Sequence, residues 1–347
     1  MAALLAITAC TAHPAPEPGG TGTSPAATPT TTAPPTDPGG AITLTVMSYN
    51  VLGGVPPNSW FPLIPPAELD PMAREPGTVA KIRHVNPDLI GFQEYRPEGP
   101  SGQRLADDLA DYSWILPDNP TKETVAVPLL YKPTRFDRID SGFERITDPE
   151  DGCSGNMERY AAWAKLRDKK TGRTLAAINV HTCPYQTDAS AAIRSASIDR
   201  IVALVGRLDP GLADPLVLTG DFNAHSDETR PVYRDHLTKL AAAGLADTAT
   251  TAKKDTSDVP RAGSYNGMQS SVKGKEHAKV VRRTNRHMDY IWVPKKTKVA
   301  TWATVSGPGL AWRTIEGVKN IPVWTGIIPS DHSPVVAKIT FAAGKAK

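Results

Sequence analysis

LTGDFNAHSDE, residues 218–228, closes the apolar run DPLVLT (214–219) on Gly220, Asp221 and Asn223. An apolar run of this length reads as a core strand. Gly, Asp and Asn at its exit are either turn residues or working groups, and this segment by itself leaves both open. The other strand ends decide between them.

ITLTVMSYNVL (42–52) alternates apolar and polar residues and carries Asn50 near its end. DLIGFQE (88–94) ends on Glu94, and RTLAAINVHT (173–182) carries His181, the second arm of a hairpin begun at RYAAWAKLRD (159–168). MDYIWV (288–293) opens with Asp289 beside its first residue, and Asp331-His332 precede SPVVAKITF (333–341). ETVAVPLLYKP (123–133), WIL (114–116) and VATWATV (299–305) also read as strands. PGTVAKIRHVNPD, SGQRLADDLADYS, residues 189–208 and residues 233–243 read as helices, and 251–287 as a long loop. The pattern predicts one α/β domain in which sheets pack together with helices outside.

Six strands that each offer a metal-type or proton-transfer group at one end form a chemical set, and sites gather where strand ends converge. Glu94, Asp331 and Asn50 are hard oxygen ligands, suited to Mg²⁺ or Mn²⁺ and poor for zinc. His181 and His332 exchange protons near neutral pH. Asp289 is the kind of group that fixes a histidine tautomer, and Asp221 one that holds or deprotonates a water. No Ser or Cys sits in an elbow motif, so water attacks directly. There is no glycine-rich phosphate loop, internal repeat or zinc spacing.

The stretches SYNVLGG, GFQEY, NVHT, TGDFNAHSDE, HMDYIWV and PSDHSPV together resemble the endonuclease/exonuclease/phosphatase superfamily, the deoxyribonuclease I-like fold. They occur in the family's order between residues 42 and 341. The resemblance implies a four-layered α/β sandwich: two packed, mainly antiparallel β-sheets flanked by helices. It implies Glu94 as principal metal ligand with Asn50 and Asp331 beside it. Asp221 would orient or deprotonate the water, Asn223 would hold the phosphate or that water, and His332, paired with Asp289, would lie against the scissile phosphate. His181 would donate to the phosphate or leaving oxygen, and Glu123 is the candidate for the carboxylate that orients this histidine in deoxyribonuclease-like members.

The superfamily includes nucleases, sphingomyelinases and phosphatases, so motifs settle chemistry before substrate. The expected function is a metal-dependent phosphodiesterase, foremost an endonuclease on DNA or RNA. The alternatives are a sphingomyelin or phospholipid phosphodiesterase, a small-molecule phosphatase, and an inactive phosphate-binding module. SVKGKEHAKVVRRTNRH (271–287) is basic, and its Arg282 and Arg283 are candidates for tracking a nucleic-acid backbone. No apolar hairpin suited to lipid insertion is legible.

The 39 basic and 36 acidic residues give a net charge of +3, compatible with a polyanionic partner without demanding one. Residues 11–40 hold eight Pro, five Gly and eight Thr and no Leu, Ile, Val or aromatic residue. Such a segment cannot bury enough surface to order itself and reads as a disordered tether before a catalytic domain at 41–347. Residues 1–10, MAALLAITAC, resemble the lipobox of bacterial lipoproteins, though without the basic residue that should precede the apolar run. The resemblance implies lipidation at Cys10 and a place on the extracellular face of the membrane, or secretion, with the lipid as the only membrane contact. Cys153 and Cys183 remain, and in an exported chain two such cysteines point to a disulfide, with free thiols as the alternative. No obligate protein partner is evident, and a monomer is expected.

Overall fold

The computed structural model describes residues 34–118, 121, 124, 126–153, 157–269 and 279–344. Cys10, Glu123 and the Pro/Thr/Gly segment through residue 33 lie outside them.

Among the described residues there are fifteen strands: β1 (Ile42–Asn50), β2 (Leu89–Gln93), β3 (Ser113–Ile115), β4 (Leu129–Tyr131), β5 (Phe136–Arg145), β6 (Tyr160–Asp168), β7 (Thr174–His181), β8 (Leu216–Asp221), β9 (Leu245–Asp247), β10 (Lys254–Asp255), β11 (Asp289–Pro294), β12 (Lys298–Thr304), β13 (Leu310–Ile315), β14 (Val318–Trp324) and β15 (Val335–Phe341). One sheet runs β10-β12-β15-β1-β2-β4-β3, a second β5-β6-β7-β8-β11-β9, and β13-β14 form a separate hairpin. Pairing is mainly antiparallel, with parallel joins at β1–β2, β7–β8 and β10–β12.

Strand alternation builds the layers. Ile42, Leu44 and Val46 of β1 enter a core shared with Leu175 and Ala177 of β7, Val217 of β8, and Ile291 and Val293 of β11, so the two sheets pack face to face. Met47 and Tyr49 point to the other side, against Ile82 and Leu105 of the helices Pro71–Val85 and Pro100–Asp108. The outer face of the second sheet packs on Ile198, Ile201, Leu204 and Val205 of the helix Asp188–Leu208. This is the four-layered sandwich expected from the motifs. No helix among the described residues is long and apolar enough to cross a membrane.

Three expectations need amendment. ETVAVPLLYKP yields only the three-residue β4 among its described residues. β5 and the β13–β14 hairpin were not legible, because β5 and β13 have one buried residue each and β14 is buried only over the short run Pro322–Trp324, so none shows a one-sided apolar alternation. The loop of 251–287 contains β10 and isolated bridges from Ala262 to Arg283, Tyr265 to His332 and Val280 to Val323.

Toward one end of the sandwich the inter-sheet face changes from apolar to polar. Gln93 Nε2 donates to Asn179 Oδ1 at 2.7 Å and to Ser48 Oγ at 3.3 Å, and Thr219 Oγ1 donates to Asn179 Oδ1 at 3.0 Å. All four side chains are fully buried. Gly91 makes this approach possible: a Cβ there would lie 2.1 Å from Thr219 Oγ1 and 2.4 Å from Asn179 Oδ1. Gly91→Ala is therefore expected to destabilise the fold by about 2–3 kcal/mol through overpacking, measured by urea denaturation. A loss below about 0.5 kcal/mol, the size of a neutral surface change, would show that the seam yields.

Candidate active site

One pleat beyond that seam the predicted residues meet. Asn50, His181 and Asp221 are the last residues of β1, β7 and β8, and Asp289 is the first of β11. The register sets His181 opposite Asp221 across β7–β8 and Asp289 opposite Asp221 across β8–β11. Glu94 follows β2, the parallel neighbour of β1. Asp331 and His332 lie just before β15.

Asp221, 1% exposed, is the hub. Its Oδ2 lies 3.6 Å from His181 Nε2 and 3.7 Å from His332 Nε2, and accepts from Asn50 Nδ2 at 3.1 Å. Its Oδ1 accepts the Asn223 backbone N–H at 2.8 Å. Asn50 Nδ2 also donates to Glu94 Oε1 at 2.9 Å. His332 Nδ1 is 2.8 Å from Asp289 Oδ2, and His181 Nδ1 is 3.3 Å from Arg159 Nη1. Glu94 and Asn223 have positive φ, 58° and 48°, a conformation that costs energy in non-glycine residues and concentrates at functional sites.

Burial and the neighbouring Asp289 push Asp221 up to about 7. Burial pushes Asp331 up to about 6, against the pull of His332 and with Glu94 adding to it. Burial opposes a charge on His332, but Asp289 and Asp221 overcome it and hold this imidazole well above its ordinary value. Burial holds His181 well below, and Arg159, His332 and Arg96 act in the same direction. Two histidines beside one carboxylate are thus pushed to opposite protonation states, the pattern that separates acid, base and donor roles.

Glu94, His181, Asp221, Asn223, Asp331 and His332 line a cleft of about 580 Å³ with Arg96, Arg159, Tyr265 and the aromatic rings of Trp60 and Tyr185 on its walls. Glu94 and Asp331 face this cleft as hard oxygen donors whose mutual repulsion a divalent cation would relieve, so the donor set fits Mg²⁺ or Mn²⁺. Asn50 differs from the expected ligand: its Oδ1 accepts Leu52 N–H at 3.1 Å, and its nitrogen faces the carboxylates. Ligand atoms of Asp221, Asp289 and His332 also lie within 4.8 Å of one another. There the His332–Asp289 hydrogen bond already occupies two of them, which marks a proton-holding pair.

Arg282 and Arg283 do not line the cleft. Arg283 donates to the Asn320 carbonyl and lies 5.4 Å over the Trp312 ring, while Lys279 pairs with Glu68 and Arg286 with Asp227. Cys153 and Cys183 are bonded, with Cα atoms 5.7 Å apart. Sequence reasoning passed over Arg159, whose meaning comes only from its place across from His181. It also passed over Ser330, which donates to Asn50 O and accepts His332 N–H, and over Tyr265, whose ring meets His332 edge-on at 5.2 Å.

The chain matches the Endonuclease/Exonuclease/phosphatase family over residues 47–332. Among solved structures it is similar to an endonuclease/exonuclease/phosphatase family protein from Bacteroides thetaiotaomicron (TM-score 0.66, 20% identity, 88% of this chain and 100% of that one). It is similar to the mannosyl-6-phosphatase of the same organism (TM-score 0.63, 20% identity, 86% and 100%). It is similar, too, to TDP2 of D. rerio solved with a single-strand DNA product (TM-score 0.55, 15% identity, 86% and 98%). No curated protein sequence matches.

Asp221 has a folded value near 7 against an ordinary 3.8. A raised carboxyl is a proton-linked stabiliser below its unfolded value, and that contribution is lost as pH rises through the folded one. Metal-free Asp221→Asn should therefore melt higher than wild type at pH 8, and the gain should shrink toward pH 4. Thermal melts across this range check it, and an equal or lower melting temperature at pH 8 would contradict the assignment.

Proposed function

The chain belongs to the endonuclease/exonuclease/phosphatase family, and on that premise we propose that it cleaves the phosphodiester backbone of DNA or RNA internally, by direct attack of water with a divalent cation. The observation that carries this reading is the meeting of His181, His332 and Asn50 on one buried carboxylate, Asp221. Held by Glu94 and Asp331, Mg²⁺ or Mn²⁺ would supply a Lewis acid to the phosphoryl oxygen. Asp221 orients the water and takes its proton. His332, held as a cation by Asp289, faces the charge that develops on phosphorus-bound oxygen. Asn223 Nδ2 donates one N–H to the Thr182 carbonyl at 3.1 Å, which fixes the side chain at the cleft wall and leaves its second N–H for the phosphate or the water.

Support for nucleic acid comes from the cleft walls. Trp60 and Tyr185 are 61% and 55% exposed, and exposed rings stack on bases in single strands. The D. rerio TDP2 structure, with its single-strand DNA product, is a neighbour of the same fold. A second reading, a lipid phosphodiester, is favoured by the β13–β14 hairpin, where Trp312 and Val318 are 47% and 55% exposed. We also propose export as a lipoprotein anchored at Cys10; the Cys153–Cys183 bond supports this, since disulfides persist in oxidising compartments.

The test is a panel of plasmid DNA, RNA, sphingomyelin and a sugar phosphate, each with Mg²⁺ and with chelator. Cleavage of nucleic acid with Mg²⁺, lost on chelation, is expected. Asp221→Ala and His332→Ala should each lower kcat by about 10²–10⁴-fold, the range for groups acting on protons or charge in the transition state. Turnover confined to lipid or sugar phosphate would remove the nuclease reading, and activity that survives both substitutions would remove the mechanism.

A further inference from the structure

His181 and His332 approach the same Asp221 oxygen at nearly the same distance, 3.6 and 3.7 Å, yet their far nitrogens meet opposite partners. His332 Nδ1 meets a carboxylate, Asp289, at 2.8 Å. His181 Nδ1 meets a guanidinium, Arg159, at 3.3 Å. A guanidinium carries N–H donors and no acceptor. The bond therefore forms only if Nδ1 of His181 offers its lone pair, which leaves the ring proton on Nε2. A proton on Nδ1 would set two donors and two positive charges against each other.

We infer that Arg159 is a positioning residue that fixes the tautomer of His181, so that His181 serves as an Nε2–H hydrogen-bond donor to a phosphoryl oxygen and not as the acid that protonates the leaving group. The inference rests on the phosphodiesterase reading above. In the hydrolysis the water oxygen bonds to phosphorus as the bond to the leaving oxygen breaks. The proton that water loses moves to Asp221 and on to the leaving oxygen, and His181 keeps its own.

The surroundings of Arg159 are built to hold it there. Strands β6 and β7 pair as far as Ala161–Val180, which sets Arg159 just past the last pair, across from the segment that follows His181. Its backbone N–H donates to Thr147 Oγ1 at 2.6 Å, and its carbonyl accepts the Ile146 N–H at 2.7 Å. The disulfide joins the same two segments, six residues before Arg159 and two after His181. A carboxylate would accept a proton from Nδ1 and favour the imidazolium, as Asp289 does for His332; the guanidinium does the reverse.

The experiment combines ¹⁵N NMR of the histidine rings with kinetics on two phosphodiesters, one with an activated aryl leaving group and one with an alkyl group. Wild type should show His181 with unprotonated Nδ1 and protonated Nε2. Arg159→Met should mix the tautomers and lower kcat by about 10-fold or more on both substrates alike, with KM nearly unchanged. Arg159→Lys, which keeps a donor, should recover most of that loss, and melting curves of the variants should match wild type. A protonated Nδ1 in wild type would overturn the inference. So would a loss confined to the alkyl substrate, the signature of a general acid, or one confined to KM. The NMR readout needs no turnover, so a failure of the phosphodiesterase reading and a failure of this assignment are distinguishable.

Discussion

Two sheets can close on each other at a polar end only if their buried amides bond across the gap, because an unpaired buried polar group costs about 1–3 kcal/mol. In the seam Gln93 Nε2 crosses from β2 to Asn179 Oδ1 on β7, and Asn179 Nδ2 crosses back to the carbonyls of Phe92, Val127 and Pro128, while Ser48 and Thr219 brace these two amides from within their own sheets. The site hangs from this seam. Asn50, His181 and Asp221 lie two residues beyond Ser48, Asn179 and Thr219, so strand alternation points them to the same inter-sheet face one step further out. Register within the second sheet then sets His181 and Asp289 on either side of Asp221. A slip of one residue in any of these strands would turn its functional group to the opposite face.

This dependence explains which parts were legible beforehand. The strands that carry the site are central, and their apolar runs and terminal polar residues are visible one at a time in TVMSYN, LIGFQE, AINVH and LVLTGD. What escaped was every feature whose meaning lies in a partner. Arg159 opens a strand as an ordinary polar residue until β6 is paired with β7. Ser330 looks like a turn serine, yet it ties Asn50 O to His332 N. The loop of 262–268 has no period of two or 3.6. It is held by single contacts, Asn266 and Gly267 N–H both donating to the Asp331 carbonyl. Asn50 was read as an oxygen donor from its type alone, while its orientation was decided by the Leu52 N–H.

In the helix Pro71–Val85, Arg74 and Lys81 are buried, 2% and 1% exposed. The loops around the site end of the sandwich belong to no sheet, so their carbonyls have no ladder to join. Arg74 answers five of them: Val51, Leu52, Gly54, Leu69 and Pro329. Lys81 answers Val305, Ser306 and Gly307. A fork of five N–H donors and an ammonium with three here do for irregular backbone what pairing does for strands.

Arg74 also bears on the electrostatics of the site. Arg74 reaches the segment that leaves Asn50 and the one that enters Asp331, and its charge acts on both Asp331 and Glu94. Removing the guanidinium would therefore free two loops and strip a compensating charge from Asp331 and Glu94 at once. A fixed cation beneath these carboxylates partly offsets their repulsion, yet burial still holds Asp331 above its ordinary value. The remaining deficit of positive charge lies on the cleft side, where solvent and a hard cation can reach it. Rigid loops beneath and unmet negative charge above are what a scaffold needs in order to bind a divalent ion without rearranging around it.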